Sequence, residues 1–337
     1  MNIPGKEQFS GCLIGQCLGD ALGFPVEGYP HPVCKQYIED IVRYGGWKKI
    51  ASGAQPFGQY TDDSQLAREL LISYSICNGF DPEDYAGRIA DIFSQGRIVG
   101  GGRATWEAAL RLAEGIPWDE AGTPAPSAGN GSAMRAGPVG LIFFDDPGAL
   151  TQAACDQGRI THKDPRCCAG AVAIAGAVSL ALQHKPVIPS DFLSRISKLV
   201  SPIEAGLSGA LISLIGWVDL DPADTITEIV QAGYSPGYTN DWQGVSPFVT
   251  GSVLWSIYAF LHAPEDYMET MYTAIEVGGD VDTTAAMAGA ISGAYLGIGE
   301  LPADFAVLVH DKGSWGYFEL TNLANKCYEI KTRQMNH

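Results

Sequence analysis

The sequence predicts an all-α protein, and three observations support this fold class. Apolar residues recur at helical spacing along most of the 337 residues. Runs that alternate between apolar and polar residues, as strands do, are nearly absent, and the short run 141–144 continues a helix as easily as it forms a strand. The 41 glycines, together with many alanines, indicate helices that pack closely through small residues. We therefore expect a compact helical fold.

Seven stretches show the helical period clearly, and glycine-rich and proline-rich loops separate them. The helical stretches are 9–22, 64–76, 84–93, 105–113, 166–182, 191–200 and 283–296. The loops are 23–32, 50–60, 96–102, 115–131, 158–165 and 232–245. Small residues recur every four positions in helices 166–182 and 283–297, which gives each a smooth face, so we expect these two at the centre of the bundle. The residues concerned are Ala169, Ala173, Ala177, Gly289, Gly293 and Gly297.

The composition predicts one globular domain over residues 1–337. No change in composition divides the chain, and no repeat of roughly 20–50 residues is present. The formal net charge of -17 repels phosphate backbones, so general nucleic-acid binding is not expected. No run of about 18 uninterrupted apolar residues indicates a membrane span. Residues 11–26 are mildly apolar, but Asp20 interrupts them and no basic segment precedes them, so no signal peptide is expected.

The eight cysteines predict reduced thiols in a cytoplasmic protein. None of them lies in a C-x-x-C pair, and several fall on apolar helical stretches. Cysteines of this kind behave as small buried apolar residues, and proteins of reducing compartments rarely carry disulfides. We therefore expect buried free thiols rather than a disulfide framework.

Two acidic clusters, far apart in the sequence, each precede an apolar helical stretch. The first is Thr61-Asp62-Asp63-Ser64, and the second is Gly278-Gly279-Asp280-Val281-Asp282-Thr283. Threonine or aspartate before a helix is an ordinary N-cap, which explains one such cluster best. A cap needs one side chain, however, whereas each cluster supplies two carboxylates and a hydroxyl. Together they offer the hard oxygen ligands of a two-metal Mg²⁺ or Mn²⁺ site, provided that the fold unites them.

The spacing of the second cluster favours metal binding over capping. Asp280 and Asp282 are separated by one residue, so an extended turn directs both carboxylates to one side. The two preceding glycines let a backbone or a ligand come close. Without a cation, neighbouring carboxylates repel each other and one takes up a proton, and a divalent ion removes that penalty. The pattern therefore predicts a metal-dependent hydrolase.

Two glycine turns and one histidine are candidates for contacts to an anionic substrate. The turns are Gly100-Gly101-Gly102 and Gly129-Asn130-Gly131-Ser132, and each precedes a helical stretch where backbone N–H groups can bind an anion. His162 also lies just before a helix. Glycine turns are commonly plain loops, and a histidine at a helix start is commonly a cap, so these alternatives stay open. Neither the P-loop pattern nor G-x-S-x-G is present, which excludes the corresponding NTPases and serine hydrolases.

Taken in order, these segments resemble the ADP-ribosylglycohydrolase family, which includes ADP-ribosylarginine and ADP-ribosylserine hydrolases. The matching segments are 15–23 (GQCLGDALG) with Pro25 and Glu27, 61–64 (TDDS), 129–135 (GNGSAMR) with Pro138, Thr161-His162 with Pro165, and 278–283 (GGDVDT). Each segment is a weak signal alone. Five of them in the family's order, within residues 11–297, form a specific one.

The resemblance implies a compact all-α fold that holds a binuclear Mg²⁺ or Mn²⁺ centre. By matching positions, the metal ligands would be Thr61, Asp62, Asp63, Asp280, Asp282 and Thr283. Within this set, Asp62, Asp63 and Asp280 would also activate water. Glu27 would lie beside the metals on a mobile loop and transfer a proton or gate the substrate. The turns 100–102 and 129–132, with His162 close by, would hold the diphosphate of ADP-ribose. Val281 departs from the family, whose members often have threonine there.

The implied function is hydrolysis of the glycosidic bond between ADP-ribose and a modified acceptor, such as an arginine or serine side chain of a protein. Two alternatives stay open, a non-catalytic ADP-ribose-binding or crystallin-like protein and a hydrolase of another ribosyl compound or nucleotide. All six expected ligand positions are intact, which favours catalysis. The loops 28–60 and 232–245 would select the acceptor, and their aromatic residues either stack on adenine or pack in the core or in a lid. These residues are Tyr29, Tyr60, Tyr234, Tyr238 and Trp242.

Overall fold

The computed structural model describes residues 4–46, 57–233 and 242–335, and it is all-α as the sequence predicts. Within these ranges only isolated β-bridges between loops occur, and no strand forms. The α-helices are α1 (Lys6–Gly23), α2 (His31–Tyr37), α3 (Asp62–Cys77), α4 (Pro82–Ser94), α5 (Arg103–Ala113), α6 (Gly137–Ile142), α7 (Pro147–Arg159), α8 (Pro165–Gln183), α9 (Pro189–Val200), α10 (Ala205–Leu214), α11 (Pro222–Ala232), α12 (Val249–His262), α13 (Tyr267–Glu276), α14 (Val281–Leu296), α15 (Ala303–Ala306) and α16 (Tyr317–Met335). Short 3₁₀ helices cover Phe24–Val26, Asn130–Ser132 and Ile298–Glu300, and a π-helical turn covers Ile38–Arg43.

Aspartate followed by proline starts several of these helices. Asp81, Asp146 and Asp164 accept hydrogen bonds from backbone N–H groups of the first turns of α4, α7 and α8, and a proline follows each of them. Proline suits the first helical position because it lacks the N–H that would be unpaired there. All seven predicted helices are present, and each begins one to three residues before its predicted start. The added residues are these polar and proline starts, which apolar periodicity does not detect.

Helices α1 and α14 pack backbone against backbone at the centre of the fold. A Cβ atom added at Gly11, Gly15 or Gly19 would overlap a carbonyl oxygen of α14, and one added at Gly289 or Gly293 would overlap a carbonyl oxygen of α1. Only glycine fits at these positions, because real side chains never come that close. We call this contact the glycine seam, formed by Gly11, Gly15, Gly19 and Gly23 of α1 and by Ala285, Gly289 and Gly293 of α14.

The prediction that α14 is central is confirmed, since all its residues from Val281 to Tyr295 are buried. The small-residue face of α14, however, packs against α1, and this pairing was not predicted. Helix α8 also packs on α14, and most of its residues are buried. The reason for the pairing with α1 is that α1 carries its own glycine every four residues, whereas the small face of α8 is made of alanines that keep a Cβ.

Helix α8 has the length and hydropathy of a membrane span, with a mean hydropathy of 1.6 over 18 residues. In the structure 83% of that segment is buried inside the protein. Burial among other helices accounts for such an apolar composition, because a helix that is apolar on all sides must be covered on all sides.

Cys155 of α7 and Cys168 of α8 are paired as a disulfide, so the expectation of reduced thiols is wrong for this pair. Residues 160–164 turn the chain back so that α8 packs on α7, and the two Cα atoms lie 4.7 Å apart. The separation of 13 residues fits no short cysteine motif, so only the tertiary fold shows the pairing. The other cysteines are free, and all but the exposed Cys77 are buried.

The predicted acceptor loops are described in part. Residues 47–56 and 234–241, with Tyr234 and Tyr238, lie outside the described residues. Tyr60 is fully buried, and its hydroxyl donates to the Trp315 carbonyl at 3.0 Å, so this ring packs in the core. Tyr29 is exposed and Trp242 is half-buried, which leaves these two rings accessible from solvent.

Candidate metal centre and substrate site

The two acidic clusters meet inside the fold at the N-terminal ends of α3 and α14. Asp62 and Asp63 form the first turn of α3, while Asp280 immediately precedes α14 and Asp282 lies in its first turn. The Asp63 carboxylate lies close enough to the Asp280 carboxylate and the Thr283 hydroxyl for both to influence its pKa, so the two clusters are in electrostatic contact. The six predicted ligands are between 1% and 6% exposed. The fold therefore brings together the side chains that the sequence separates.

Asp20, near the end of α1, holds the first cluster in place. Its carboxylate oxygens accept hydrogen bonds from the Thr61 backbone N–H at 2.9 and 3.1 Å, from the Thr61 hydroxyl at 3.0 Å and from the Ser64 N–H at 3.1 Å. The unpaired N–H groups at the start of α3 are thus satisfied by a neighbouring helix. The sequence analysis assigned no role to Asp20. The available signal was a single charged residue in the otherwise uncharged segment 8–23 of α1.

Backbone contacts hold the second cluster. Gly278 and Gly279 have φ values of 80° and 90°, in the left-handed region that favours glycine. The Gly279 N–H donates to the Tyr29 carbonyl at 2.9 Å, and the Asp280 N–H donates to the Val245 carbonyl at 2.8 Å. On the other side of the cluster, a Cβ atom added at Gly23 would lie 2.5 Å from the Asp282 Cα, so the end of the glycine seam contacts the cluster.

Glu27 lies at the solvent side of the cluster, directly after the 3₁₀ helix Phe24–Val26. It is exposed, yet one of its carboxylate oxygens lies within 4.8 Å of oxygens from Asp280 and Asp282. Although much of the residue is exposed, its carboxyl group is partly desolvated against the cluster, which raises the pKa of Glu27 to about 7, and the charges of Asp280 and Asp62 add to that shift. The placement beside the predicted ligands agrees with the expectation for this residue, and its role stays a prediction.

The electrostatics of the buried carboxylates favour a bound cation. Burial raises the pKa of Asp62 to about 7, and the nearby charge of Asp280 contributes. Burial, with repulsion between neighbouring carboxylates, also raises the pKa of Asp63 and Asp282 well above the ordinary value. Asp62 Oδ2 and Asp63 Oδ1 are buried and have no hydrogen-bond partner within the described part of the chain. Unpaired buried carboxylate oxygens are unfavourable, so this donor set fits a divalent cation.

The glycine turn 100–102 borders the first cluster. Gly100 and Gly101 have φ values of 76° and 101°. The Gly101 N–H donates to Asp62 Oδ1 at 3.0 Å, and the Asp62 N–H donates to the Val99 carbonyl at 2.8 Å. The turn therefore lies at the predicted metal site, and in this structure the N–H of Gly101 is used by one of the predicted ligands.

The turn 129–132 connects the second cluster to His162. Asn130 Nδ2 donates to Asp280 Oδ2 at 2.5 Å and to Ser252 Oγ at 2.9 Å, so this side chain orients a predicted ligand. The Ser132 hydroxyl is buried and donates to the Cys167 carbonyl at 2.8 Å. Any contact of Ser132 with a substrate would therefore come from its backbone N–H.

His162 packs against the glycines of this turn. A Cβ added at Gly131 would lie 2.7 Å from His162 Cε1, and one added at Gly129 would lie 3.5 Å from His162 Nε2. The histidine is 4% exposed. The structure thus places the second glycine turn and the histidine together, next to Asp280 through Asn130. Val281 lies in the hydrophobic core with no exposed surface.

The structure is an all-α domain with a buried acidic cluster, and comparison with known proteins gives its family. A sequence profile described as ADP-ribosylglycohydrolase matches residues 1–336. The chain therefore belongs to the ADP-ribosylglycohydrolase family, which confirms the resemblance and the fold class that the sequence predicts.

Several relatives share this length and fold. ADP-ribosylhydrolase ARH3 of Gallus gallus is 29% identical over 98% of this chain and 95% of its own length. An uncharacterized protein of Archaeoglobus fulgidus is 27% identical over 86% of this chain and 88% of its own. ADP-ribosylarginine hydrolase Tri1 of Pseudomonas putida is 24% identical over 96% of this chain and 78% of its own. A solved structure described as an ADP-ribosylglycohydrolase-related protein complex superposes with a TM-score of 0.71 at 25% identity, covering 97% of this chain and 98% of the other.

Proposed function

We propose that this chain is a divalent-metal-dependent hydrolase that cleaves the glycosidic bond between ADP-ribose and a modified acceptor, reversing mono-ADP-ribosylation. One observation carries the proposal: two remote acidic clusters converge, and two of their buried carboxylate oxygens have no hydrogen-bond partner among the described residues. Family membership supports the substrate class, since two relatives are named ADP-ribosylhydrolase and ADP-ribosylarginine hydrolase. A single domain over residues 1–337 would carry this activity.

The proposed cofactor is a pair of Mg²⁺ or Mn²⁺ ions. Carboxylates and hydroxyls are the ligands that these hard cations prefer. The residues that would hold them are Thr61, Asp62, Asp63, Asp280, Asp282 and Thr283. When bound, the ions would supply positive charge that orients the ribose hydroxyls and lowers the pKa of water.

Glu27 is the proposed proton carrier. Its carboxylate lies beside the proposed metal ligands Asp280 and Asp282, where general acid–base catalysis needs a group that can take up and release a proton. Its exposure, together with its closeness to Asp280 and Asp282, supports a role between the entering substrate and the proposed metal ions. Cleavage at the anomeric carbon develops oxocarbenium-like positive charge, which the neighbouring carboxylates stabilise.

The glycine turns and His162 are proposed to bind the diphosphate. The net charge of -17 repels an anionic substrate, so its phosphates need local donors. Glycine turns offer backbone N–H groups without a side chain in the way. The turn 129–132 lies against His162 and is joined to Asp280 through Asn130, so one ligand could span both ends of the site.

The test is turnover of defined substrates by the purified protein with Mg²⁺ or Mn²⁺. ADP-ribosyl-arginine and ADP-ribosyl-serine peptides and free nucleotides are assayed side by side. We expect release of ADP-ribose from at least one peptide, and a loss of at least about 100-fold in kcat/KM for Asp62→Ala and Asp280→Ala, because each removes a ligand. Asp304→Ala is the matched control, since this exposed aspartate lies outside the site.

Two results would contradict the proposal. Turnover retained by Asp62→Ala or Asp280→Ala in chelator-treated buffer would remove the metal mechanism. A wild-type protein that binds ADP-ribose but releases none from any peptide would favour the non-catalytic alternative, and turnover of free nucleotides alone would favour a different ribosyl substrate.

A further inference from the structure

Arg135 is fully buried, and none of its hydrogen bonds to the described residues goes to a carboxylate. Its Nε donates to Gln157 Oε1 at 2.8 Å, and its Nη2 donates to the Gln157 carbonyl and to Thr161 Oγ1, both at 2.8 Å. A buried guanidinium is costly to desolvate, so an arginine here needs a reason beyond filling space. The contact with Thr161 leads towards the substrate site.

The orientation of Gln157 fixes the direction of these hydrogen bonds. Its Nε2 donates to the Ser132 carbonyl at 2.8 Å and to the Ala154 carbonyl at 3.2 Å, so its Oε1 is the acceptor that faces Arg135. The two hydrogens of Arg135 Nη2 then have one acceptor each, the Gln157 carbonyl and the Thr161 hydroxyl oxygen. Thr161 Oγ1 is therefore an acceptor towards Arg135.

Because Thr161 Oγ1 accepts from Arg135, its own hydrogen is free to be donated. The other partner of this oxygen is His162 Nδ1, at 2.8 Å. Thr161 is fully buried, and no further acceptor contacts its hydroxyl within the described part of the chain. If Nδ1 carried a hydrogen, the hydroxyl hydrogen would be left unpaired in the interior, which is unfavourable. Nδ1 is therefore the acceptor, and the single ring hydrogen lies on Nε2.

We infer that Arg135 is a positioning residue, which acts through Thr161 to hold His162 as a neutral imidazole whose Nε2–H is donated to a phosphate oxygen of the substrate. This inference rests on the proposed function for the identity of the anion. Nε2 faces the turn 129–131, because a Cβ at Gly131 would lie 3.2 Å from it and one at Gly129 would lie 3.5 Å from it. Nε2 makes no hydrogen bond to the described residues, so its hydrogen is available to a ligand.

The charges around the ring keep it neutral. Burial and the positive charge of Arg135 lower the pKa of His162 to about 3, and the negative charge of Asp164 acts in the opposite direction. Asp164 is itself engaged by the Arg166 guanidinium at 2.7 Å. A neutral ring with one directed N–H selects an anion by a hydrogen bond, so its contribution to binding does not depend on protonation between pH 5 and 8.

The test measures the ring nitrogens of His162 by ¹⁵N NMR and the affinity for ADP-ribose by calorimetry. The signals of His162 are assigned by their loss in His162→Gln. For the wild type we expect the Nε2–H form from pH 5 to 8. In Thr161→Val the donor to Nδ1 is absent, so we expect part of the ring to shift to the Nδ1–H form and the affinity to fall about tenfold. Thr161→Ser should restore both.

The matched control is Thr270→Val, which removes another buried hydroxyl that donates to backbone carbonyls at 3.0 Å, in α13. It should leave the His162 signals and the affinity unchanged. An Nδ1–H form in the wild type overturns the inference even if the Thr161 variants do not fold. An unchanged tautomer and affinity in Thr161→Val, or no rescue by Thr161→Ser, also overturns it. A wild type that shows the Nε2–H form but binds no ADP-ribose overturns the donation to phosphate and the proposed function, and leaves the positioning of the ring by Thr161 established.

Discussion

The two acidic clusters look alike in sequence but are supported in different ways. The first, at the start of α3, is held by hydrogen bonds from Thr61 and Ser64 to one buried carboxylate, Asp20. The second, at the start of α14, is held by backbone bonds of Gly279 and Asp280 and by the glycine seam behind it. One half of the centre therefore depends on charge and hydrogen bonding, and the other on close backbone packing.

This difference shows how a crowded set of carboxylates is kept rigid. Hydrogen bonds to Asp20 pair the N–H groups at the start of α3 and fix that helix against α1. Glycine contacts fix α14 against the same helix without using a polar group. Helix α1 carries both supports, since Asp20 lies between Gly19 and Gly23. Changes at neighbouring positions of one helix should thus disturb the two clusters separately.

The largest effect is expected for Gly23→Ala, which disrupts the backbone packing behind the second cluster. The new methyl group would lie 2.5 to 2.6 Å from the Asp282 Cα, the Val281 carbonyl oxygen and the Asp282 N, all backbone atoms that cannot rotate away. We expect a loss of about 3 kcal/mol in unfolding free energy, measured by urea denaturation. Gly87→Ala is the control, because this helical glycine faces open space and should gain up to about 1 kcal/mol. Equal stability of the two variants would contradict the backbone support.

A smaller loss of stability is expected for Asp20→Asn, which attacks the hydrogen-bonded half. The amide NH₂ would face backbone N–H donors that need an acceptor, so we expect about 2 kcal/mol of destabilisation and a 10- to 100-fold weaker affinity for Mn²⁺, measured by calorimetry. Asp266→Asn is the control, since Asp266 is an exposed N-cap where asparagine serves as well. A normal Mn²⁺ affinity in Asp20→Asn would show that the first cluster needs no support from α1.

The smallest effect is expected from pH in the metal-free protein. Burial raises the pKa of Asp20, Asp62 and Glu27 to about 7, whereas an unfolded carboxyl group titrates near 4. The folded state then binds more protons between these values. Because the three carboxyl groups titrate as one coupled set that solvent partly screens, we expect unfolding free energy to fall by about 1 kcal/mol as pH rises from 5 to 8 in EDTA. Saturating Mg²⁺ should remove the decline. Asp20→Asn should show a flatter slope than the wild type, and a wild-type slope of zero in EDTA would contradict the shifted pKa values.

The local part of this site was predictable from the sequence. Doubled carboxylates at helix starts are visible in Asp62-Asp63 and in Asp280-x-Asp282, because their spacing is a property of a few consecutive residues. The supports were not predicted, since Asp20 and Asn130 find their partners only after distant helices pack. The same reason applies to the disulfide between Cys155 and Cys168.

The glycine seam was predicted only in part. The smooth face of α14 was recognised, but its partner was not, although Gly11, Gly15, Gly19 and Gly23 repeat every four residues just as the glycines of α14 do. Two matching four-residue glycine repeats would have predicted the contact. The burial of Tyr60, by contrast, had no sequence signal, because an aromatic residue in a loop suits a lid and a core equally well.

The glycine seam also constrains how the protein folds during its synthesis. It joins the first helix to one that begins some 260 residues later, so during synthesis the bare glycine face of α1 leaves the ribosome long before its partner exists. Contacts between such distant parts form slowly, because a long loop must close before they stabilise anything. In a nascent chain the glycine face of α1 therefore stays uncovered, and the fold stays incomplete, until nearly the last helices have emerged from the ribosome.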